Sequence, residues 1–236
     1  MTAGQLVKRG YTTAEMDSLE FLELETGASP SATVIWLHGL GADGHDFEAI
    51  VPELRLPPSL PIRFVFPHAP VRPVTINNGM RMRAWYDIFQ FGGGAEDEQG
   101  IKGSQRLVEE LIGAEAKRGI PRARVVLAGF SQGGAIALQT ALRYPSRLAG
   151  VLALSTYLPL ASTLKAEMDE ANRLTPIFMA HGTYDDIIPL QRAEQSSKLL
   201  KDAGYQIEWH TYPMPHSVCA DEIAHISAFL RKILGS

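Results

Sequence analysis

Short, uninterrupted apolar runs alternate along the chain with longer segments in which apolar residues recur every three or four positions. The short runs lack the polar alternation of a strand with one solvent-facing side, so they predict parallel strands buried on both faces. The predicted strands are Leu19–Leu24, Thr33–Leu37, Arg63–Phe66, Val125–Ala128, Val151–Leu154, Ile177–Ala180 and Ile207–Tyr212. The longer segments predict helices over Phe47–Glu53, Ser104–Arg118, Gln132–Arg143, Leu190–Ala203 and Asp221–Leu234.

This alternation of strand and helix predicts the α/β class, with a mostly parallel, doubly wound central sheet flanked by helices. Residues 1–18 match neither pattern and indicate a loosely tied N-terminal leader, which leaves 19–236 as a single domain. The glycine-rich and acidic stretch Phe91–Gln99 predicts a loop.

Composition excludes several classes of function. The chain of 236 residues has a net charge of −4 and no long run of lysine or arginine, which argues against a nucleic-acid partner. Its one cysteine, Cys219, cannot form an internal disulfide and suits a reducing compartment. No apolar run reaches the length of a signal peptide or a spanning helix, so we expect a cytoplasmic protein without stable membrane insertion. A homodimer stays possible.

The strongest chemical signal is the G-x-S-x-G pentapeptide Gly129–Gly133, centred on Ser131. It lies directly between the predicted strand Val125–Ala128 and the helix Gln132–Arg143. Such a tight strand-to-helix turn strains the serine backbone and needs glycines on either side, where a β-carbon would collide. The serine oxygen would then project at the end of the sheet beside a helix N-terminus. The pattern predicts a nucleophilic serine in an α/β-hydrolase fold.

Two further residues occupy the places where this fold carries its acid and its base. In chain order the serine is followed by an acid and then a histidine, each after a different strand. Asp185 and Asp186 follow the strand Ile177–Ala180, and His216 follows the last strand. His216 would take the serine proton and return it to the leaving group, with a carboxylate holding the imidazole. Asp185 is the first choice as the acid, although either aspartate could reach a histidine.

A hydrolase of this kind also needs donors for the oxyanion. One is expected from the backbone N–H of Gln132, directly after the nucleophile, and the second from the loop after the strand Thr33–Leu37. Leu40 in the segment His38–Gly41 is the candidate. Each donor contributes about 3 to 4 kcal/mol to the barrier.

From about Thr33 to its C-terminus the chain resembles the carboxylesterase/acyl-protein thioesterase (lysophospholipase-like) family of small α/β hydrolases. The segments that carry the resemblance are HGLGADG at His38–Gly44, PHAPVRPVT at Pro67–Thr75, AWYDI at Ala84–Ile88, EDEQGIK at Glu96–Lys102, GFSQGGA at Gly129–Ala135, LALSTYLPL at Leu152–Leu160, HGTYDDIIP at His181–Pro189 and the PMPH of Pro213–His216.

The resemblance implies a triad of Ser131, Asp185 and His216, because the family's acid is the third residue after His-Gly. It implies an oxyanion hole from the main chain of Leu40 and Gln132. It also implies an acyl groove bordered by the loop carrying Trp85 and Tyr86 and by the loop carrying Leu158 and Pro159. Neither cofactor nor metal is implied.

Four other features have weaker interpretations. Residues 39–44 spell G-x-G-x-x-G, but the next strand ends without the acid that a dinucleotide site requires. Cys219 lacks a nucleophile turn and is expected to be inert. Glu222 and His225 form a single E-x-x-H, which we interpret as a solvated helix face rather than a metal site. His38 and His181 are expected to position loops by hydrogen bonds.

The interval between the strands Val151–Leu154 and Ile177–Ala180 is too short for a large cap domain, which predicts an open groove. We therefore expect a carboxylesterase for short- to medium-chain acyl esters. An acyl-protein thioesterase or lysophospholipase with the same triad, acting on thioester or lipid-derived substrates, is the alternative. A catalytically silent binding protein is a remote one.

Overall fold

In a computed structural model of the chain, residues 7–9, 19–90 and 94–235 are described. Their main sheet has eight strands in the order β1-β2-β4-β3-β7-β8-β9-β10. These strands are β1 (Val7–Arg9), β2 (Phe21–Glu25), β3 (Ala32–Leu37), β4 (Ile62–Pro67), β7 (Val125–Phe130), β8 (Gly150–Leu154), β9 (Ile177–Gly182) and β10 (Ile207–Tyr212). A separate antiparallel hairpin is formed by β5 (Val71–Val74) and β6 (Met80–Arg83).

The sheet is parallel from β4 across to β10, and at its other edge β2 runs antiparallel to both β1 and β4. Every residue of β3, β4, β8 and β9 is buried. This two-sided burial explains the absence of polar alternation in the sequence and confirms the α/β class. Because the parallel strands point the same way, the loops after β3, β7, β8, β9 and β10 gather at one edge of the sheet.

Helices cover both faces of the sheet. The helices are α1 (Ile50–Glu53), α2 (Glu98–Lys117), α3 (Gln132–Arg143), α4 (Leu164–Glu167), α5 (Leu190–Asp202) and α6 (Ala220–Leu234). One core cluster packs α2, α3 and α5 against the sheet. The other packs α1 and α6 against the opposite face. This arrangement confirms the doubly wound topology.

The structure differs from the predicted elements at several ends. Helix α2 begins at Glu98 rather than Ser104, because the Asp97 side chain accepts a hydrogen bond from the N–H of Gly100 (2.9 Å) and caps the helix. Gly100 and Gly103 in the first turns interrupt the apolar periodicity, so the pattern predicted a later start for the helix. Helix α1 spans only Ile50–Glu53, and the β5–β6 hairpin was not predicted.

The predicted leader contributes one element, since β1 pairs antiparallel with β2 at the edge of the sheet. The rest of the leader lies outside the described residues, as do 91–93 of the predicted loop. Between β8 and β9 the chain forms only short 3₁₀ turns and the four-residue α4, so there is no large cap. Across the described ranges, no helix is both long and apolar enough to cross a bilayer.

Candidate active site

Ser131 is the single residue between the end of β7 at Phe130 and the start of α3 at Gln132. Its backbone has φ 54° and ψ −120°, a conformation that L-residues rarely adopt. Two hydrogen bonds hold it there: its N–H donates to the carbonyl of Leu154 (2.9 Å), and its carbonyl accepts from Oγ1 of Thr156 (2.7 Å). The strain predicted for this turn is present and is fixed by β8.

The glycines on either side of Ser131 are required by close backbone approaches. A β-carbon at Gly133 would lie 2.3 Å from the carbonyl oxygen of Leu37. One at Gly129 would lie 2.3 Å from the carbonyl group of Gly133. Both distances are far inside van der Waals contact, so a side chain at Gly133 would push the turn away from β3, and one at Gly129 would push β7 and the start of α3 apart.

The loop after β3 lies against the serine. A β-carbon at Gly39 would lie 3.5 Å from the β-carbon of Ser131. The next residue, Leu40, lines the same cleft as Ser131 and Gln132. Within the described ranges, the N–H groups of Leu40 and Gln132 take part in no hydrogen bond. Two free backbone donors thus belong to residues that border the serine's cleft.

His38 fixes this loop. Its Nε2 accepts a hydrogen bond from the N–H of Ala69 (3.0 Å), which leaves the proton on Nδ1 to donate to the carbonyl of Gly39 (2.7 Å). Burial disfavours the imidazolium and lowers the pKa of His38 to about 4. The indole Nε1 of Trp85 donates to the carbonyl of His38 (2.9 Å). As expected, His38 positions a loop.

Trp85 therefore lies behind the cleft and not in its wall. Its side chain is fully buried and its indole N–H binds the carbonyl of His38, whereas it was expected to contact the substrate in the groove. Leu158 and Pro159 are also buried and do not line the cleft; the N–H of Leu158 donates to Oγ of Ser196 (2.9 Å). Of the four expected groove residues, only Tyr86 borders the cleft.

Asp185 and His216 are brought together by the loops after β9 and β10. Nδ1 of His216 lies 2.7 Å from Oδ2 of Asp185. Oδ1 of the same carboxylate accepts hydrogen bonds from the N–H groups of Ile187 (3.0 Å) and Ile188 (2.8 Å). Asp186 is exposed and has no part in this network. The geometry distinguishes the two aspartates that the residues alone left open.

Two further side chains support this pair. His181 is fully buried, and its Nε2 donates to the carbonyl of Ile188 (2.8 Å) while lying 3.2 Å from Oδ2 of Asp185. Burial lowers the pKa of His181, so its imidazole is neutral and acts as a fixed donor. On the other side, the ring of His216 packs against the ring of Phe130, with centroids 4.7 Å apart. Phe130 directly precedes the serine.

The cleft over Ser131 encloses about 700 Å³, its open mouth included. Its apolar and aromatic lining consists of Leu40, Tyr86, Ile88, Phe89, Ala95, Tyr157, Ile187 and Ile188. Its charged and polar side chains include Asp87, Glu96, Gln132 and Arg192. Tyr157, Ile187, Ile188 and Arg192 were not predicted to line the cleft, although the first three lie within segments that carry the family resemblance.

Only half of the E-x-x-H motif on α6 lies on the solvated face that we expected, because His225 is exposed and Glu222 is not. Glu222 is fully buried, and Nδ1 of His225 lies 2.8 Å from the hydroxyl of Tyr212. Among the described residues, no group of three or more His, Cys, Asp or Glu side chains is placed to hold a metal ion.

Comparisons with known proteins agree with this architecture. The chain is 45% identical over 215 residues to acyl-protein thioesterase 1 of Gibberella zeae, covering 86% of this chain and 91% of that protein. It is 44% identical over 218 residues to acyl-protein thioesterase 1 of Neurospora crassa, covering 88% and 89%.

Among solved structures, Arabidopsis thaliana SOBER1 superposes with a TM-score of 0.82 at 33% identity, covering 86% of this chain and 99% of that one. Acyl-protein thioesterase 2 of Zea mays superposes with a TM-score of 0.78 at 27% identity, covering 88% and 96%. The sequence profile of the Phospholipase/Carboxylesterase family matches residues 23–234. The chain belongs to the Phospholipase/Carboxylesterase family and is a serine hydrolase with the α/β-hydrolase fold, similar to acyl-protein thioesterase 1.

Proposed function

We propose that the protein is an acyl thioesterase, which removes acyl groups bound to proteins through thioester bonds and passes through an acyl-enzyme on Ser131. We propose that it also hydrolyses acyl oxyesters. The observation that carries the proposal is the 2.7 Å contact between His216 and Asp185 at the sheet edge where Ser131 occupies its strained turn. The high identity to two acyl-protein thioesterases favours thioesters over the short-chain esters expected from the sequence.

In the proposed mechanism, His216 takes the proton of Ser131 as the serine attacks the acyl carbonyl. Asp185 holds the imidazole with Nδ1 protonated and stabilises the imidazolium that forms. The N–H groups of Leu40 and Gln132 receive the charge that develops on the carbonyl oxygen. His216 then protonates the leaving thiolate, and in the second half of the cycle it activates water to release the acid.

The shape of the cleft supports this choice of substrate. Apolar side chains dominate the lining, which suits an acyl chain, and the missing cap leaves the mouth open to a bulky leaving group such as a protein. A buried, capped site would admit only small leaving groups.

The test compares an S-acyl peptide and the matching O-acyl peptide on wild type, Ser131→Ala and Ser155→Ala. Ser155 is a matched control because it too follows a strand, is buried and has a positive φ of 45°. We expect Ser131→Ala to lose about 10⁶-fold in turnover, the scale measured for a hydrolase nucleophile. Ser155→Ala should keep wild-type turnover within a few fold. Substantial turnover by Ser131→Ala refutes the nucleophile, and hydrolysis of the oxyester alone refutes the thioesterase assignment.

A further inference from the structure

One cation lines the catalytic cleft among the described residues, and it has no ionic partner there. The guanidinium of Arg192 lies over the ring of Tyr157, with Cζ 3.4 Å from the ring centroid. No carboxylate of the described ranges lies within salt-bridge distance of it. Stacking on an aromatic face occupies the plane of a guanidinium and leaves its N–H edge free to donate.

The positive charge of Arg192 does not stabilise the helix in which the residue lies. Arg192 is the third residue of α5, and its N–H bonds to the carbonyl of Pro189. A cation in the first turn of a helix opposes the macrodipole, whose positive end lies there, whereas an anion is favoured. The arginine and the helix end therefore attract the same kind of group.

A second donor lies next to the guanidinium. The hydroxyls of Tyr86 and Tyr157 are 2.8 Å apart, and both residues line the cleft. Burial raises the pKa of both phenols, so each keeps its proton. Two hydroxyls hold two protons and their mutual bond uses one, which leaves the other available to a ligand.

The two carboxylates in the cleft hold loop residues. Asp87 accepts hydrogen bonds from the N–H and the hydroxyl of Thr75. Oε2 of Glu96 accepts one from the N–H of Leu160 (3.0 Å), while its Oε1 is buried without a hydrogen-bond partner in the described structure. Glu96 is close enough for its charge to act on both phenols, but neither carboxylate lies within salt-bridge distance of Arg192.

We propose that Arg192, with the Tyr86–Tyr157 hydroxyl pair, forms a subsite for an anionic group that the substrate carries in addition to its scissile bond. A carboxylate fits the planar N–H edge of the guanidinium. The inference rests on the proposed acyl-hydrolase function, because it concerns substrates of the same cleft. The carboxylate can belong to the acyl chain or to the leaving group, and the two sources are separable by experiment.

The acyl arm compares the 4-nitrophenyl monoester of adipic acid with that of its neutral monoamide. The leaving-group arm compares 4-acetoxybenzoate with 4-acetoxybenzamide. Both pairs are measured on wild type, Arg192→Met, Arg192→Lys and Arg173→Met. Arg173 is the matched control, since it also lies over a tyrosine, Tyr205, with Cζ 5.7 Å from the ring centroid, but does not line the cleft.

We expect Arg192→Met to lower kcat/KM for the carboxylate of one arm by about tenfold to a hundredfold, the scale of a charge-assisted hydrogen bond. The neutral partner should change less than threefold, Arg192→Lys should recover part of the loss, and Arg173→Met should behave like wild type. Equal changes for carboxylate and amide in both arms overturn the anion subsite.

Turnover of the neutral esters reports separately on the proposed function. If wild type hydrolyses none of them, the subsite is tested by calorimetry of adipate monoester binding to Ser131→Ala with and without Arg192→Met. Equal affinities of these two proteins overturn the subsite, and a tenfold loss with Arg192→Met supports it.

Discussion

The backbone N–H of Trp85 donates a hydrogen bond of 2.8 Å to the side-chain oxygen of Gln132. The other end of the same amide donates to the carbonyl of Tyr86, also at 2.8 Å. The side chain of Gln132, the first residue of α3, thus binds the backbone of Trp85 and of Tyr86, and Tyr86 lines the cleft. Because Gln132 is itself a proposed oxyanion donor, this clamp couples the shape of the cleft to the serine turn.

Replacing Gln132 with alanine removes both hydrogen bonds and leaves a buried N–H and a buried carbonyl unpaired. We expect a loss of about 1–3 kcal/mol in the free energy of unfolding and a fall of at least tenfold in kcat/KM. Gln139→Ala is the control, because Gln139 is fully buried on the same helix and, among the described residues, its side chain bonds only to Gln105, through Nε2 (3.0 Å). Urea unfolding and ester hydrolysis measure the two effects. An equal fall in kcat/KM for both variants would contradict the clamp.

Replacing glycine with alanine is expected to change the free energy of unfolding in opposite directions at Gly133 and Gly113. Gly133→Ala places a β-carbon 2.3 Å from the carbonyl oxygen of Leu37, and we expect it to destabilise the fold by at least about 3 kcal/mol or to prevent folding. Gly113 lies in α2 with nothing within 4 Å of its β-carbon position. Gly113→Ala should raise the free energy of unfolding by about 0.5–1 kcal/mol. Urea unfolding decides both, and a Gly133→Ala protein of wild-type stability would show that the turn can move away from β3.

Substitutions at the neighbouring residues Asp185 and Asp186 test which of them is the catalytic acid. Asp185→Asn keeps the shape but replaces the oxygen that faces His216 Nδ1 at 2.7 Å, and it should favour the wrong imidazole tautomer. We expect kcat to fall by about 10³- to 10⁴-fold. Asp186 is exposed, so Asp186→Asn should change kcat by less than threefold. Steady-state kinetics on one thioester compares them, and a larger loss with Asp186→Asn would reverse the assignment.

Much of the site's arrangement could be predicted because a parallel sheet imposes it. Ser131, Asp185 and His216 each follow a different strand, and the carboxyl ends of parallel strands meet at one edge. Local rules were enough to place these residues in neighbouring loops. The predicted strands also matched closely, since each central strand is buried on both sides and reads as a continuous apolar run.

Features that depend on contacts between distant segments could not be predicted. The indole N–H of Trp85 binds the carbonyl of His38 in the core, and the hydrophobic pattern of the sequence does not predict that hydrogen bond. Arg192 falls on an amphipathic helix, where a charged residue indicates a solvent-facing position. Its location in the cleft follows from how α5 docks on the sheet. The β5–β6 hairpin was missed because its short strands carry mostly exposed or half-buried residues.

Glu222 should make the stability of the protein depend on pH. Its carboxyl group is fully buried near the backbone N–H of Cys219, neither oxygen makes a well-formed hydrogen bond in the described structure, and burial raises its pKa from 4.5 to about 8. Between these values the folded state keeps a proton that the unfolded state releases. The contribution of Glu222 to stability therefore falls as pH rises from about 4.5 to about 8, and it is constant above that range.

Glu222→Gln supplies a neutral side chain of the same shape. At pH 5 the variant and wild type should have similar free energies of unfolding, and at pH 9 the variant should be more stable by a few kcal/mol. Asp221→Asn is the control: Asp221 lies in the same helical turn but is exposed to solvent, so its difference from wild type should not change with pH. Denaturant unfolding at a series of pH values measures both differences. A Glu222→Gln difference that stays constant from pH 5 to pH 9 would mean that the buried carboxyl is ionised throughout, with a partner such as water compensating its charge.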